Sequence, residues 1–163
     1  MKKIFLGMLA FIFVFLLAGC FQDEVQEDIL QYTNEEMIKA SQLEETAISA
    51  YDEVSGANYT DDETMYAALV DVVIPNYNEF TKELSNVNIE TDELREVHQL
   101  FIQAADTQYN AFVKIVRALE EQDASLIEEA NGMLDEAKNG ILDYQNQLDK
   151  LADEHNVEFE EDR

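Results

Sequence analysis

The stretch ASLIEEANGMLDEAKNGILDYQNQLDKLADEH, residues 124–155, decides the fold class of this chain. Its positions Ile127, Ala130, Leu134, Ala137, Ile141, Tyr144, Leu148, Leu151 and His155 are separated by steps that alternate between three and four. Such steps return to one side of a helix every seven residues, so the pattern predicts one long helix with a continuous seam for packing on a neighbour. Asp123 stands where an N-cap supplies an oxygen to free backbone N–H groups, and Lys150 suits the negative pole at the other end. Two glycines interrupt the pattern. Gly140 flanks the seam, where it permits close helix approach, whereas Gly132 points outward and has no packing reason.

Upstream, Thr91 followed by Asp92 and Glu93 predicts the start of a second helix, running to about Glu121. Its stripe is Leu94, Val97, Phe101, Ala104, Gln108, Phe112, Ile115 and Leu119, in which Gln108 alone is polar and marks register or reaches a partner across the core. Only Gln122 and Asp123 separate the two helices, which forces an antiparallel hairpin. Further upstream, Thr60-Asp61-Asp62-Glu63 matches a capping box and predicts a helix from Asp61, with Tyr66, Leu69, Val73, Tyr77, Phe80 and Leu84 inward. Pro75 lies inside it and predicts a kink near Asp71, because proline lacks its N–H and clashes with the carbonyl four residues back.

The stripe Val25, Ile29, Tyr32, Met37, Ala40, Leu43, Ala47, Ala50, Val54 predicts one more helix, which Ser55-Gly56-Ala57-Asn58 ends. Thr33 followed by Glu36 is a second capping-box match, and it sets the helix start at Asn34. No stretch alternates with the period of a strand. The fold class is therefore all-α, an antiparallel four-helix bundle over residues 34–155, preceded by an acidic tether at 20–33 and followed by an acidic, fraying tail at 156–163.

At the N-terminus, Lys2 and Lys3 precede an apolar run from Ile4 to Leu17, and small residues lead into Cys20, the only cysteine. The run is shorter than the roughly 20 apolar residues a membrane span requires and has the pattern of a secretory signal peptide. Leu17-Ala18-Gly19-Cys20 resembles the lipobox of bacterial lipoprotein precursors, in particular small helical lipoproteins of Gram-positive bacteria. That resemblance implies removal of residues 1–19 and a diacylglyceryl or palmitate-type lipid on Cys20. It also implies a mature chain anchored at the extracytoplasmic face of the cell membrane. Two acyl chains hold a protein stably where one holds it marginally, at about 0.8 kcal/mol per buried methylene.

The chain of 163 residues carries 36 acidic and ten basic residues, and two of the latter, Lys2 and Lys3, leave with the signal peptide. The mature part, eight Lys and Arg against 36 Asp and Glu, has a formal charge of −28. Nucleic acid is thus excluded as a partner, and a basic extracytoplasmic protein is favoured.

Motifs for chemistry are few. The Glu-x-x-His pairs of di-iron bundles are missing, since Arg95 lies three residues before His98 and Ala152 three before His155. A hydrogen-bonded boundary histidine is expected for His98, and a cation at a helix end for His155. No EF-hand loop, Gly-rich phosphate loop or nucleophile elbow occurs in the sequence. The expectation is a non-enzymatic module without cofactor or metal, acting by protein interaction or as a structural element of the cell envelope. The alternative is a receptor for a small ligand or cation, with a pocket at the Pro75 kink lined by Tyr66, Val73, Tyr77 and Phe80.

Overall fold

A computed structural model of the chain describes residues 23–159. Among these residues every regular element is helical. The chain forms α1 (Glu24–Gln31), a π-helical turn (Tyr32–Glu36), α2 (Ile38–Asp52), a short 3-10 turn (Gly56–Asn58) and α3 (Asp62–Ala68). A second π-helical turn (Leu69–Val73) leads to α4 (Ile74–Asn86), followed by α5 (Asp92–Glu121) and α6 (Ala124–Glu154). Residues 1–22, with the expected signal peptide and Cys20, and residues 160–163 of the tail lie outside the described residues.

The α5–α6 hairpin forms as its sequence predicts. Gln122, at φ 54°, ends α5 in the left-handed conformation, and the Asp123 carboxylate caps α6 by accepting from the Ser125 N–H at 2.9 Å. The two helices pack through the stacked rings of Phe101 and Tyr144, 4.5 Å apart, and through small side chains at Ala104 and Gly140. A Cβ on Gly140 would lie 2.9 Å from the Ala104 Cβ, so the glycine sets the closeness of the pair. Gly132 meets nothing within 4 Å, in line with its outward position. Lys114 Nζ reaches Glu129 at 2.7 Å, and this pair with Ala104–Gly140 shows the helices running in opposite directions. Gln108 does reach across the core, its Oε1 accepting from the Tyr77 hydroxyl at 3.0 Å.

Residues 23–33 are not a tether. Asp23 caps α1 through the Gln26 N–H, and Ile29 and Tyr32 are fully enclosed in the core. Thr33, expected to cap a new helix, instead donates its hydroxyl to the Ile29 carbonyl at 2.8 Å, so the helix runs through. The five-residue step from Tyr32 to Met37 is absorbed by the π turn, with the Met37 N–H bonded to the Tyr32 carbonyl at 3.0 Å. The apolar stripe keeps one face across the insertion.

A π turn also precedes Pro75. The Ile74 N–H bonds to the Leu69 carbonyl, five residues back, and Asn76 Nδ2 donates to the Val72 carbonyl at 2.8 Å. A side chain thereby serves a carbonyl next to the position where proline has no N–H to offer. The helix starts at Asp62 rather than Asp61, because Asp61 and not Thr60 is the cap, accepting from the Thr64 N–H at 2.8 Å.

The tail is docked at its beginning rather than frayed. Asn156 turns left-handed at φ 57°, the Val157 N–H returns to the Ala152 carbonyl at 2.8 Å, and the Val157 side chain is buried. This C-terminal cap with an apolar contact closes α6.

Candidate functional site

The four residues expected to line a pocket do not line one. Val73, Tyr77 and Phe80 have no exposed surface, and Tyr66 is half-buried with its hydroxyl donating to Glu120 at 2.9 Å. Tyr77 is enclosed by the rings of Phe80 and Phe112, with centroids 5.0 and 5.2 Å away in edge-on contact, so the space beside Pro75 is filled core. The inward direction of these residues was legible in the helical period, but the closure of α5 over them was not.

Both histidines have structural partners. His98 is buried rather than at the boundary: its Nε2 donates to the Leu84 carbonyl at 2.9 Å and its Nδ1 lies 2.9 Å from the Tyr32 hydroxyl. The Tyr32 hydroxyl is in turn 2.9 Å from that of Tyr144, so one hydrogen-bonded chain joins α4, α5, α6 and the first π turn. Burial holds the His98 imidazole below its usual pKa, opposed by its bond to Leu84, and the neutral ring matches one nitrogen donating and the other accepting. His155 Nδ1 lies 2.8 Å from the Asp23 carboxylate and ties the end of α6 to the cap of α1. That contact holds the Asp23 carboxyl below the usual range. Among the described residues no three His, Cys, Asp or Glu side chains converge to hold a metal ion.

The open feature of the molecule lies elsewhere. Helix α2 packs on α4, α4 on α5 and α5 on α6, whereas α2 and α6 hardly approach one another. Between them lie two cavities of about 430 and 470 Å³ that share Tyr51 as a wall. One extends past Ser55, Gly56 and Tyr59 toward Ile127 and Asn131. The other runs past Glu44 and Ile48 toward Leu134, Ile141 and Leu142. Helix α5 supplies the floor through Ile115 and Leu119 at one end and Gln108 at the other. The result is a cleft along one side of the helical assembly, and its rim carries Leu142 and Tyr59, 47% and 46% exposed.

Glu44 dominates the electrostatics of this cleft. Its half-buried carboxyl makes no hydrogen bond or ion pair among the described residues, and burial alone pushes its pKa up to about 7. The negative charge acts inward on the hydroxyls of Tyr77 and Tyr144, helping to raise both; Tyr144 is pushed up to about 12, mainly by burial. Asp52 and Asp135 add acidity along the walls, and Lys138 is the single cation there, exposed and not paired with Glu44. Glu44 is thus an acid withdrawn from water among aliphatic side chains, with no hydrogen bond or ion pair among the described residues.

Sequence periodicity alone did not single out Glu44, Tyr51 or Leu142. A trace exists in the adjacent pair Ile141-Leu142, where an apolar residue stands just off the seam. No protein family, curated protein or solved structure matches this chain.

Proposed function

We propose that the chain is a lipid-anchored, extracytoplasmic interaction module of the cell envelope, attached through Cys20 and presenting the α2–α6 cleft to a protein partner. The carrying observation is the cleft itself: a lateral opening with aliphatic walls and an acidic interior suits a segment of another protein better than an enclosed small molecule. The anchor rests on Leu17-Ala18-Gly19-Cys20 after a short apolar run. In this reading four rods, α1–α2, α3–α4, α5 and α6, form an antiparallel bundle, and the second rod bends at the π turn before Pro75.

Orientation follows from the short connection. Three peptide links separate Cys20 from Asp23, a reach of about 10 Å when extended, so the end holding Asp23 and His155 lies at the membrane. The end of the cleft at Gly56 and Tyr59 then points outward. The formal charge of −28 raises the encounter rate with basic partners and disfavours acidic ones.

Two measurements test this reading. Cys20→Ala releases the protein from the membrane fraction or blocks its maturation; unchanged fractionation and maturation contradict the anchor. Crosslinking in intact cells captures a basic extracytoplasmic protein in a salt-sensitive manner; capture confined to acidic proteins contradicts the electrostatic selection.

A further inference from the structure

We infer that the α2–α6 cleft receives a basic amphipathic helix of a partner, whose apolar face covers Ile48, Tyr51, Leu134 and Leu142 while one Lys or Arg side chain meets Glu44. The inference rests on the interaction-module reading above and names its occupant.

Three observations select this occupant. First, the two cavities lie side by side between α2 and α6, adjoin at Tyr51, and together touch α6 from Ile127 to Gln145, about 27 Å at 1.5 Å per residue, the length of five turns of an incoming helix. Second, its lining is both aliphatic and acidic. Ile48, Leu134, Ile141 and Leu142 offer apolar anchoring sites, and Leu142 is left 47% exposed in the free protein. Third, the Glu44 carboxyl has no partner among the described residues, so a cation that enters satisfies an acid already withdrawn from water. A second copy of this chain fails on charge, since both copies carry the same large negative excess. An uncharged apolar helix would cover the walls but leave Glu44 enclosed and unpaired.

Acid weakens such binding. Around Glu44 stand Asp52 on its own helix, Tyr77 on α4, Gln108 on α5, and Asp135, Lys138 and Tyr144 on α6, while Asp106 on α5 acts on Tyr77. Lys138 is the only cation of this set, and the occupant's charge is the one that pairs. Below about pH 7 Glu44 becomes neutral and loses its attraction for the incoming cation.

The chain contains no tryptophan, so Tyr51→Trp creates a single reporter on the wall shared by both cavities. The full chain carrying this change, in nonionic detergent micelles, is titrated with a synthetic Leu/Lys helical peptide of about 18 residues, matching the length of the cleft. Matched titrations use the peptide with every Lys changed to Glu, and the Glu44→Gln protein. Thermal melting confirms that each variant is folded, and Glu128→Gln, an exposed change outside the cleft, controls for net charge. The expected result is a saturable emission shift with the basic peptide at about pH 8 and none with the acidic one. Affinity falls about tenfold or more at about pH 6 and in Glu44→Gln, and stays within about twofold in Glu128→Gln. Leu142→Gln, at an exposed position that cannot unfold the core, also weakens binding.

Absence of a shift with the basic peptide, or equal affinities for the Glu44→Gln and Glu128→Gln proteins, overturns the inference. If peptide binding fails while capture in intact cells still occurs through the cleft, the occupant is wrong and the interaction-module reading stands. If both fail, both are rejected.

Discussion

Asp28 on α1 accepts hydrogen bonds from the backbone N–H and the hydroxyl of Thr91, at 2.8 and 2.6 Å, and so secures the start of α5 from a position 63 residues earlier. The Glu90 N–H adds a contact at 3.2 Å. Asp28 is only 4% exposed, and these donors replace the water its carboxyl group has lost. Asp28→Ala leaves those donors without a partner and removes the tie between α1 and α5. The expected loss is about 2–4 kcal/mol of unfolding free energy in urea titration. A loss below about 0.5 kcal/mol, the level of a neutral surface change, contradicts this role.

The Leu84–His98–Tyr32–Tyr144 chain is a second lock. Tyr32→Phe deletes the hydroxyl that serves both the His98 Nδ1 and the Tyr144 hydroxyl, and destabilises by about 1–3 kcal/mol. His98 also gives a signed pH dependence. Its folded pKa lies below the unfolded value, so the unfolded chain binds more protons as acid is added. The stability contribution is complete above about pH 6.5 and is lost as pH falls through the lower folded value. Nuclear magnetic resonance of the His98 ring measures it directly: a midpoint below 6.5 is expected, and one above it contradicts a buried neutral ring.

Two glycines of α6, Gly132 and Gly140, about 12 Å apart along the helix, have opposite expected effects. Gly132→Ala places a methyl in open space and raises stability by about 0.5–1 kcal/mol through helix propensity. Gly140→Ala sets a Cβ 2.9 Å from the Ala104 Cβ, which has no rotamer to move aside. The helices must separate, and a net loss of about 1–2 kcal/mol is expected despite the better propensity. Thermal melting of the two single variants distinguishes them by the sign of the shift.

Local signals account for what the sequence disclosed. The predicted span Asp92–Glu121 is the observed α5, and α6 ends one residue before the predicted His155, because heptad spacing, the Asp123 cap and the two-residue connection all act within one hairpin. The start of α1 was hidden for the converse reason. A Thr-x-x-Glu pattern can cap a new helix or, as at Thr33, bond back to the previous turn, and the choice is made by distant partners. Those partners are the core around Ile29 and Tyr32 and the loop that Asp28 holds. The cleft was illegible in a stronger sense. It lies between two helices whose backbones seldom come close, and no periodicity within α2 or α6 encodes that spacing.

Glu44 supplies an independent prediction on the free protein. Its pKa rises from the ordinary 4.5 to about 7 on folding, so the folded state binds the extra proton between these values. The penalty is absent below about pH 4.5, grows as pH rises, and is complete above about pH 7. Glu44→Gln therefore stabilises the free protein by about 1–2 kcal/mol at about pH 8, after discounting for solvent in the cleft, and by nothing measurable at about pH 4. Equal effects at the two pH values, measured by urea unfolding, contradict an unpaired desolvated carboxyl.

The most direct test of the central claim is site-specific photocrosslinking in living cells, comparing Leu142 on the rim of the cleft with Val113 on α5, which is 41% exposed but outside both cleft cavities. A photoreactive phenylalanine analogue in place of Leu142 is expected to capture a discrete partner through a basic segment, and the same analogue in place of Val113 is not. Capture from Val113 with none from Leu142, or equal capture from both, contradicts the assignment of the α2–α6 cleft as the binding surface.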